Sequence, residues 1–202
     1  MEVFIISKFI RDIFNKGNFK DYFKRNKVFL LVSLFVLILS VYSGLTDSQS
    51  YVAFSNYSIN HLIASNVEST GFVGNFLTSF IDTLLNYLSI IAMGLTFSVM
   101  AMLSFVANAV SIGFLLNQNM NTINMILPQS IFTLIASIFA MCGAFLVTKM
   151  EVRFIGYLSN HDKYPLSRLK APFKDLILSI VLMLLFVFIY ALLNSMLIPM
   201  IQ

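Results

Sequence analysis

Long apolar runs separated by short polar segments dominate the chain. Between Gly71 and Val147, Asp82 is the only charged residue and no Lys or Arg occurs. Aqueous proteins rarely leave so much sequence uncharged, whereas a charge at the centre of a bilayer costs about 2.5 to 3.5 kcal/mol on insertion scales. Since one spanning helix needs about 20 residues, this stretch alone predicts about three membrane crossings.

Five apolar runs are long enough to form spanning helices. The predicted spans cover residues 28–45, 72–92, 95–116, 128–148 and 176–198. We expect the second and third spans to separate near Met93-Gly94, because glycine lowers helix propensity by about 1 kcal/mol relative to alanine and permits a turn. Pro128 is predicted to begin the fourth span, since a helix tolerates proline in its first turn. The prediction is an all-α fold, a polytopic transmembrane bundle that forms one domain over residues 28–198.

The positive charges predict the topology. All 13 Lys and Arg lie either in the N-terminal segment 1–27 or between Lys149 and Lys174. The positive-inside rule puts both groups in the cytoplasm, so an even number of spans must separate them. Dividing the 72–116 run into two helices gives four spans, whereas one helix gives three. We therefore predict a multi-pass protein of the cell membrane with a cytoplasmic N-terminus and an extracytosolic C-terminus.

The N-terminal segment mixes basic residues with apolar residues at helical spacing. This pattern predicts an amphipathic interfacial helix, interrupted by Gly17 within the stretch from Asn15 to Asn18. The alternative is a solvated basic flank that only sets the orientation. Tyr164-Pro165 and Ala171-Pro172 interrupt the second basic segment and argue against a long helix there. The basic residues expected at the membrane surface are Lys8, Arg11, Lys24, Arg25, Lys27, Arg168, Lys170 and Lys174.

Composition agrees with a membrane protein. The chain has 202 residues, of which 58% are hydrophobic and 11% charged, and its mean hydropathy is +0.86. The net charge of +4 does not indicate nucleic acid, because attraction to anionic lipid explains bases placed beside apolar spans. The single cysteine, Cys142, excludes an intrachain disulfide and a Cys-rich metal site.

Polar residues within the spans are the candidate functional positions. Ser79, Asp82 and Asn86 share one face of a predicted helix. Asp82 is either part of a polar path or partner-binding seam, or a structural residue near the outer interface that hydrogen-bonds Ser79, Asn86 or a backbone N–H. The candidate intramembrane residues are Asp82, Asn86, Asn108 and Gln129.

Small residues predict close helix packing. One stripe comprises Ala101, Ser104, Asn108 and Ser111, and a second comprises Ala136, Ala140 and Ala144. Packing in lipid depends on such close contact, because helices already in hydrocarbon have no hydrophobic drive to associate. Phosphate-binding loops, nucleophile elbows and helix-borne His-Glu pairs do not occur in the sequence. We therefore predict a protein without enzymatic activity, metal or cofactor.

Three pieces of sequence, in order, resemble the stage II sporulation protein M family. They are Phe80 to Asn86 before a glycine-bearing span, Phe105-x2-Asn108-x4-Gly113, and Leu127-Pro128-x2-Ile131-Phe132 before an alanine- and glycine-rich helix. The resemblance covers residues 76–148 and implies five spans with a cytoplasmic N-terminus. Family members in spore formers belong to a membrane complex with a cell-wall hydrolase that remodels peptidoglycan during engulfment. A cell-wall hydrolase is thus the partner that the resemblance implies.

The chain also departs from the family pattern. Pro-His-Gly followed by Glu reads here as Pro128-Gln129-Ser130 with Thr133, and Asn-Gly reads as Asn108-Ala109. The resemblance therefore implies only architectural roles, for Asn86, Asn108, Gly113 and Pro128.

Two functional hypotheses follow. The first is a membrane scaffold that holds other membrane proteins, or further copies of itself, through its seams and loops. The second is a small oligomeric transporter or channel, with Asp82, Asn86, Asn108 and Gln129 lining a route through the bundle.

Overall fold

A computed structural model describes residues 15–46, 71–118, 123–159 and 165–197. The described residues are 96% helical and contain no strand, so the all-α prediction is confirmed. The six helices are α1 (Lys16–Arg25), α2 (Lys27–Thr46), α3 (Gly71–Ala92), α4 (Val99–Gln118), α5 (Ile123–Ser159) and α6 (Lys170–Leu197). Two short 3₁₀ segments, Met93–Thr96 and Leu166–Leu169, precede α4 and α6.

Five segments are long and apolar enough to cross a membrane, as predicted. They are Lys27–Thr46, Gly71–Thr96, Val99–Asn117, Ser130–Ser159 and Leu166–Met196. The short helix α1 adjoins the first of them. The chain therefore has the architecture of a multi-pass membrane protein.

Helix α5 is the centre of the bundle. It contacts α2, α3, α4 and α6, and more than half of the most apolar part of its span is buried. Ala136, Ala140 and Ala144 are completely buried along it. Their small side chains let the neighbouring helices pack closely against α5.

Glycines bring α2 and α4 into backbone contact. A Cβ atom added at Gly113 would lie 2.2 Å from the carbonyl oxygen of Val41, and one added at Gly44 would lie 2.2 Å from that of Val110. Any side chain at either position would have to separate the two helices. Gly113 thus occupies a position where packing requires glycine.

The turn between α3 and α4 occurs near Met93-Gly94, as predicted, but for a different reason. The left-handed residues are Phe97 and Ser98, with φ of 51° and 59°. Gly94 is buried, and a Cβ atom there would lie 2.6 Å from the carbonyl oxygen of Ala144. The Thr148 hydroxyl donates to the Gly94 carbonyl at 2.7 Å and lies 2.6 Å from the Ser98 hydroxyl. These bonds tie the strained turn to α5.

Several predicted boundaries differ from those of the structure. Helix α5 begins at Ile123, so Pro128 lies inside the helix instead of beginning it. It also runs to Ser159, past residue 148, the predicted end of the fourth span. The first helix-breaking proline after this span is Pro165, so the helix can continue beyond residue 148. Helix α6 begins at Lys170 and includes Pro172 in its first turn, where the missing N–H breaks no bond.

The N-terminal helix is also displaced from its prediction. Helix α1 includes Gly17 and Asn18, which were expected to interrupt it. Asn15 precedes the helix as its N-cap, and its side-chain oxygen accepts the Gly17 N–H at 3.2 Å. The earlier part of the predicted amphipathic helix, with Lys8 and Arg11, lies outside the described residues.

Candidate functional site

Polar side chains of α3 and α4 meet near the middle of the span. At about 1.5 Å rise per residue, Asn86 lies about 15 Å from Thr96 at the end of the span, and Asp82 about 21 Å from it. If a hydrocarbon core about 30 Å thick begins at Thr96, it extends about 9 Å beyond Asp82. We therefore expect Asp82 to lie within the apolar part of the span Gly71–Thr96.

Asp82 and Asn86 face outward from the bundle. Both are exposed, and Asn108 on α4 is half-buried beside them. The Asn108 amide nitrogen lies 3.5 Å from the Asn86 side-chain oxygen, a long contact for a hydrogen bond. We call Asp82, Asn86 and Asn108 the polar face. Gln129, the fourth candidate, lies in α5, and its side chain is outside the described part of the structure.

The expected neighbours of Asp82 are engaged elsewhere. Ser79 is buried and accepts a hydrogen bond at 2.8 Å from Asn194 of α6. The Tyr190 hydroxyl, which lies close enough to Asp82 to interact electrostatically, is hydrogen-bonded to Thr83. Within the described part of the chain, no side chain or backbone N–H hydrogen-bonds Asp82. The carboxyl group is thus exposed on the outer surface of the bundle, on an apolar segment whose expected surroundings are lipid chains that cannot solvate it.

A second polar cluster lies at the opposite end of the bundle from Ser79, where α1 meets α6. Asp175 at the start of α6 is buried and accepts from Arg25 Nη2 at 2.6 Å, from Arg25 Nε at 3.1 Å and from Asn26 Nδ2 at 3.0 Å. The bonds from the guanidinium are bidentate, the geometry that makes Arg-carboxylate pairs strong. The hydrogen bond and the charge of Asp175 raise the pKa of Arg25.

Tyr22 extends this cluster into the core. Its ring is completely buried, and its hydroxyl lies 2.7 Å from the Ser179 hydroxyl and donates to Cys142 Sγ at 3.6 Å. Burial is the largest cause that raises the pKa of the Tyr22 phenol above its ordinary value of 10.0. We call Tyr22, Arg25, Asn26, Asp175 and Ser179 the anchor cluster.

The anchor cluster is not predicted from the sequence. Arg25 is expected there among the bases at the membrane surface, whereas in the structure its guanidinium hydrogen-bonds the buried Asp175. The available signal was Asp175 itself, an acid placed just before the last apolar run, together with the helical spacing of Tyr22, Arg25 and Asn26. The cluster also brings the two basic segments of the chain to the same end of the bundle, as the charge distribution predicts.

The remaining predicted surface bases are solvent- or lipid-accessible to different degrees. Lys24, Lys27, Arg168 and Lys170 are exposed, while Lys174 is half-buried. Lys149, which was not singled out, lies with Nζ 5.4 Å from the centre of the Phe29 ring. Across the described ranges, no group of three or more His, Cys, Asp or Glu side chains could hold a metal ion.

Comparison with known proteins adds no family. No family model matches the chain, and neither the curated proteins nor the solved structures include a significant match. The resemblance to the stage II sporulation protein M family therefore stays a prediction.

Proposed function

We propose that this protein is a non-enzymatic scaffold, a subunit that holds membrane proteins together within the bilayer. The observation that carries the proposal is the exposed position of Asp82 on the apolar segment Gly71–Thr96. A charge there costs about 2.5 to 3.5 kcal/mol on insertion scales when it faces lipid. Contact with a second membrane helix that donates hydrogen bonds to the carboxyl group removes this cost.

The composition of the polar face suits a protein partner. Asn86 and Asn108 each carry a donor and an acceptor, and Asp82 adds an acceptor one helical turn from Asn86. Leu85 is 60% exposed next to them and supplies apolar contact. Polar side chains flanked by apolar ones are the usual means by which helices recognise one another in lipid.

A route through a single bundle has less support. Residues of α3 that face the interior include Tyr87, Ile90 and Ile91, which are buried against neighbouring helices. Asp82 and Asn86 are exposed, so they do not line the interior. The positive-inside rule and the family resemblance extend the proposal: the basic end faces the cytoplasm, and in a spore former the partner is a cell-wall hydrolase complex.

Site-specific photocrosslinking in native membranes tests the scaffold. A photoreactive residue at Leu85 should form an adduct with another protein, whereas the same residue at Leu39, exposed on α2, should not. Asp82→Leu should abolish the Leu85 adduct, and Asp82→Asn, which keeps hydrogen-bonding capacity, should retain most of it. Equal adduct yields at Leu85 and Leu39 would refute the proposal. A Leu85 adduct yield that Asp82→Leu leaves unchanged would also refute it.

Transport is the second candidate, and the outward polar face restricts its form. These side chains can line a path only between copies of the chain, not within one copy. Purified protein in liposomes would then conduct ions or protons, and Asp82→Asn would reduce the flux. No flux above empty liposomes, in preparations that contain oligomers, would exclude this candidate.

A further inference from the structure

An open groove runs along the outside of the bundle where α1 meets α2. It has a volume of about 490 Å³ and is lined by Phe23, Lys24, Lys27, Leu30, Leu31, Leu34 and Ile138. Lys24 and Lys27 line one end, mainly with the aliphatic parts of their side chains, and the rest of the lining is apolar. The groove therefore has a polarity along its length.

The lysine end and the apolar part of the groove are arranged along the expected membrane normal. Lys27 is the first residue of the first span, and Lys24 lies one turn before it. Leu34 lies about 10 Å further along the helix, inside the hydrocarbon. The lysine end thus lies at the level of the lipid headgroups and the apolar part at the level of the acyl chains.

The two lysines are available to a ligand. Both are exposed, and no described carboxylate lies within ion-pair distance of either ammonium group. Arg25, between them in sequence, turns inward to Asp175 and is not part of the groove. Asn26, at the joint between α1 and α2, is completely buried and bonded to Asp175, which fixes the two lysines relative to the groove.

We propose that this groove binds one anionic phospholipid of the surrounding leaflet. The lipid phosphate lies between the ammonium groups of Lys24 and Lys27, and an acyl chain covers Leu31 and Leu34 and contacts Ile138. Two uncompensated positive charges favour an anionic headgroup over a zwitterionic one. A water-soluble anion would satisfy the lysines but leave the apolar part of the groove uncovered.

Native mass spectrometry of the full chain, released from detergent micelles, tests this site. The probes are phosphatidylglycerol and phosphatidylcholine with identical acyl chains. We expect one phosphatidylglycerol to bind in preference to phosphatidylcholine. Lys24→Gln and Lys27→Gln should each weaken phosphatidylglycerol binding about 5-fold, and the double variant about 25-fold.

Lys16→Gln is the matched control, because it removes the same charge from an exposed position on α1 that does not line the groove. It should leave phosphatidylglycerol binding within about 2-fold of the unchanged protein. Equal binding of the two lipids, or an equal loss in Lys16→Gln and Lys27→Gln, would overturn the proposal. Unchanged melting temperatures of all variants would show that none of the losses comes from unfolding.

Discussion

Arg25 and Asp175 form a bidentate ion pair, with Nη2 2.6 Å from Oδ1 and Nε 3.1 Å from Oδ2, although 150 residues separate them in sequence. The pair joins the helix before the first span to the beginning of the last. The Asp175 side chain is only 3% exposed, and that of Arg25 is 37% exposed. The pair therefore closes the bundle at one end and fixes α1 against it.

Removing the arginine should destabilise the protein. Arg25→Met leaves the Asp175 carboxylate buried without its counter-ion, so we expect a loss of about 3 kcal/mol, the lower end of the range for buried pairs. Thermal unfolding in detergent measures the loss. Asp21→Asn is the control, because Asp21 lies 3.9 Å from Arg25 and is 62% exposed, and it should cost less than about 1 kcal/mol. Equal losses in the two variants would contradict an anchoring role for the pair.

A side chain at Gly113 should disrupt the contact between α2 and α4 and destabilise the protein. In Gly113→Ala the added Cβ would clash with the Val41 carbonyl oxygen, so the helices must separate at a cost of about 1 to 3 kcal/mol. Gly17→Ala, where the nearest atom is 4.0 Å away, should instead be neutral or stabilising by up to about 1 kcal/mol. Thermal unfolding of both variants checks the prediction, and a tolerated Gly113→Ala would mean that the two backbones are not in contact.

The Tyr22 hydroxyl should give a stability that depends on pH. Because the pKa of the phenol is raised in the folded protein, the phenol ionises first in the unfolded chain, and its contribution is complete below pH 10 and declines as pH rises above 10. Tyr22→Phe should therefore be less stable than the unchanged protein at pH 9, by about 1 kcal/mol for the lost hydrogen bond.

The difference between these two proteins should shrink between pH 10 and pH 11, by up to about 1.4 kcal/mol per pH unit. Titration of other groups is common to both proteins and cancels in the comparison. Unfolding free energies at pH 9, 10 and 11 measure the difference. A constant difference over this range would show that water reaches the phenol in the folded state.

Asp82 should destabilise the isolated chain. Since no described group hydrogen-bonds it, Asp82→Leu should stabilise a single copy in a bilayer, by up to about 2.5 to 3.5 kcal/mol, while it removes the proposed partner contact. Unfolding measured in dilute bilayer discs that hold one copy checks the stability. A destabilised Asp82→Leu would show instead that the carboxyl group is structural, as the alternative interpretation of the sequence has it.

The number of spans and their approximate positions could be predicted from the sequence, because they depend on local apolar runs. The break near Gly94 was predicted at the correct place but from the helix propensity of glycine. In the structure glycine is needed there because Gly94 contacts Ala144 of another helix, which local sequence cannot show. Pro128 was expected to begin a helix because the local rule for proline favours the first turn. The helix in fact begins at Ile123.

The anchor cluster could not be predicted from the same rules. The positive-inside rule predicts which segments carry their bases at the membrane surface, but it does not predict which partner each base binds. The pairing of Arg25 with Asp175 depends on how α1 and α6 pack. Similarly, Ser79, Asp82 and Asn86 share a helix face in sequence, but packing of α6 buries Ser79 and leaves the other two outside.

Thiol labelling in intact cells tests the arrangement of the bundle most directly. In a Cys142→Ser background, Lys20→Cys and Arg168→Cys report on the two basic segments, and Ser58→Cys reports on the segment between the first two spans. A membrane-impermeant maleimide should label Ser58→Cys in intact cells and the other two only after permeabilisation. Labelling of Lys20→Cys and Arg168→Cys from opposite sides of the membrane would contradict the five-span bundle.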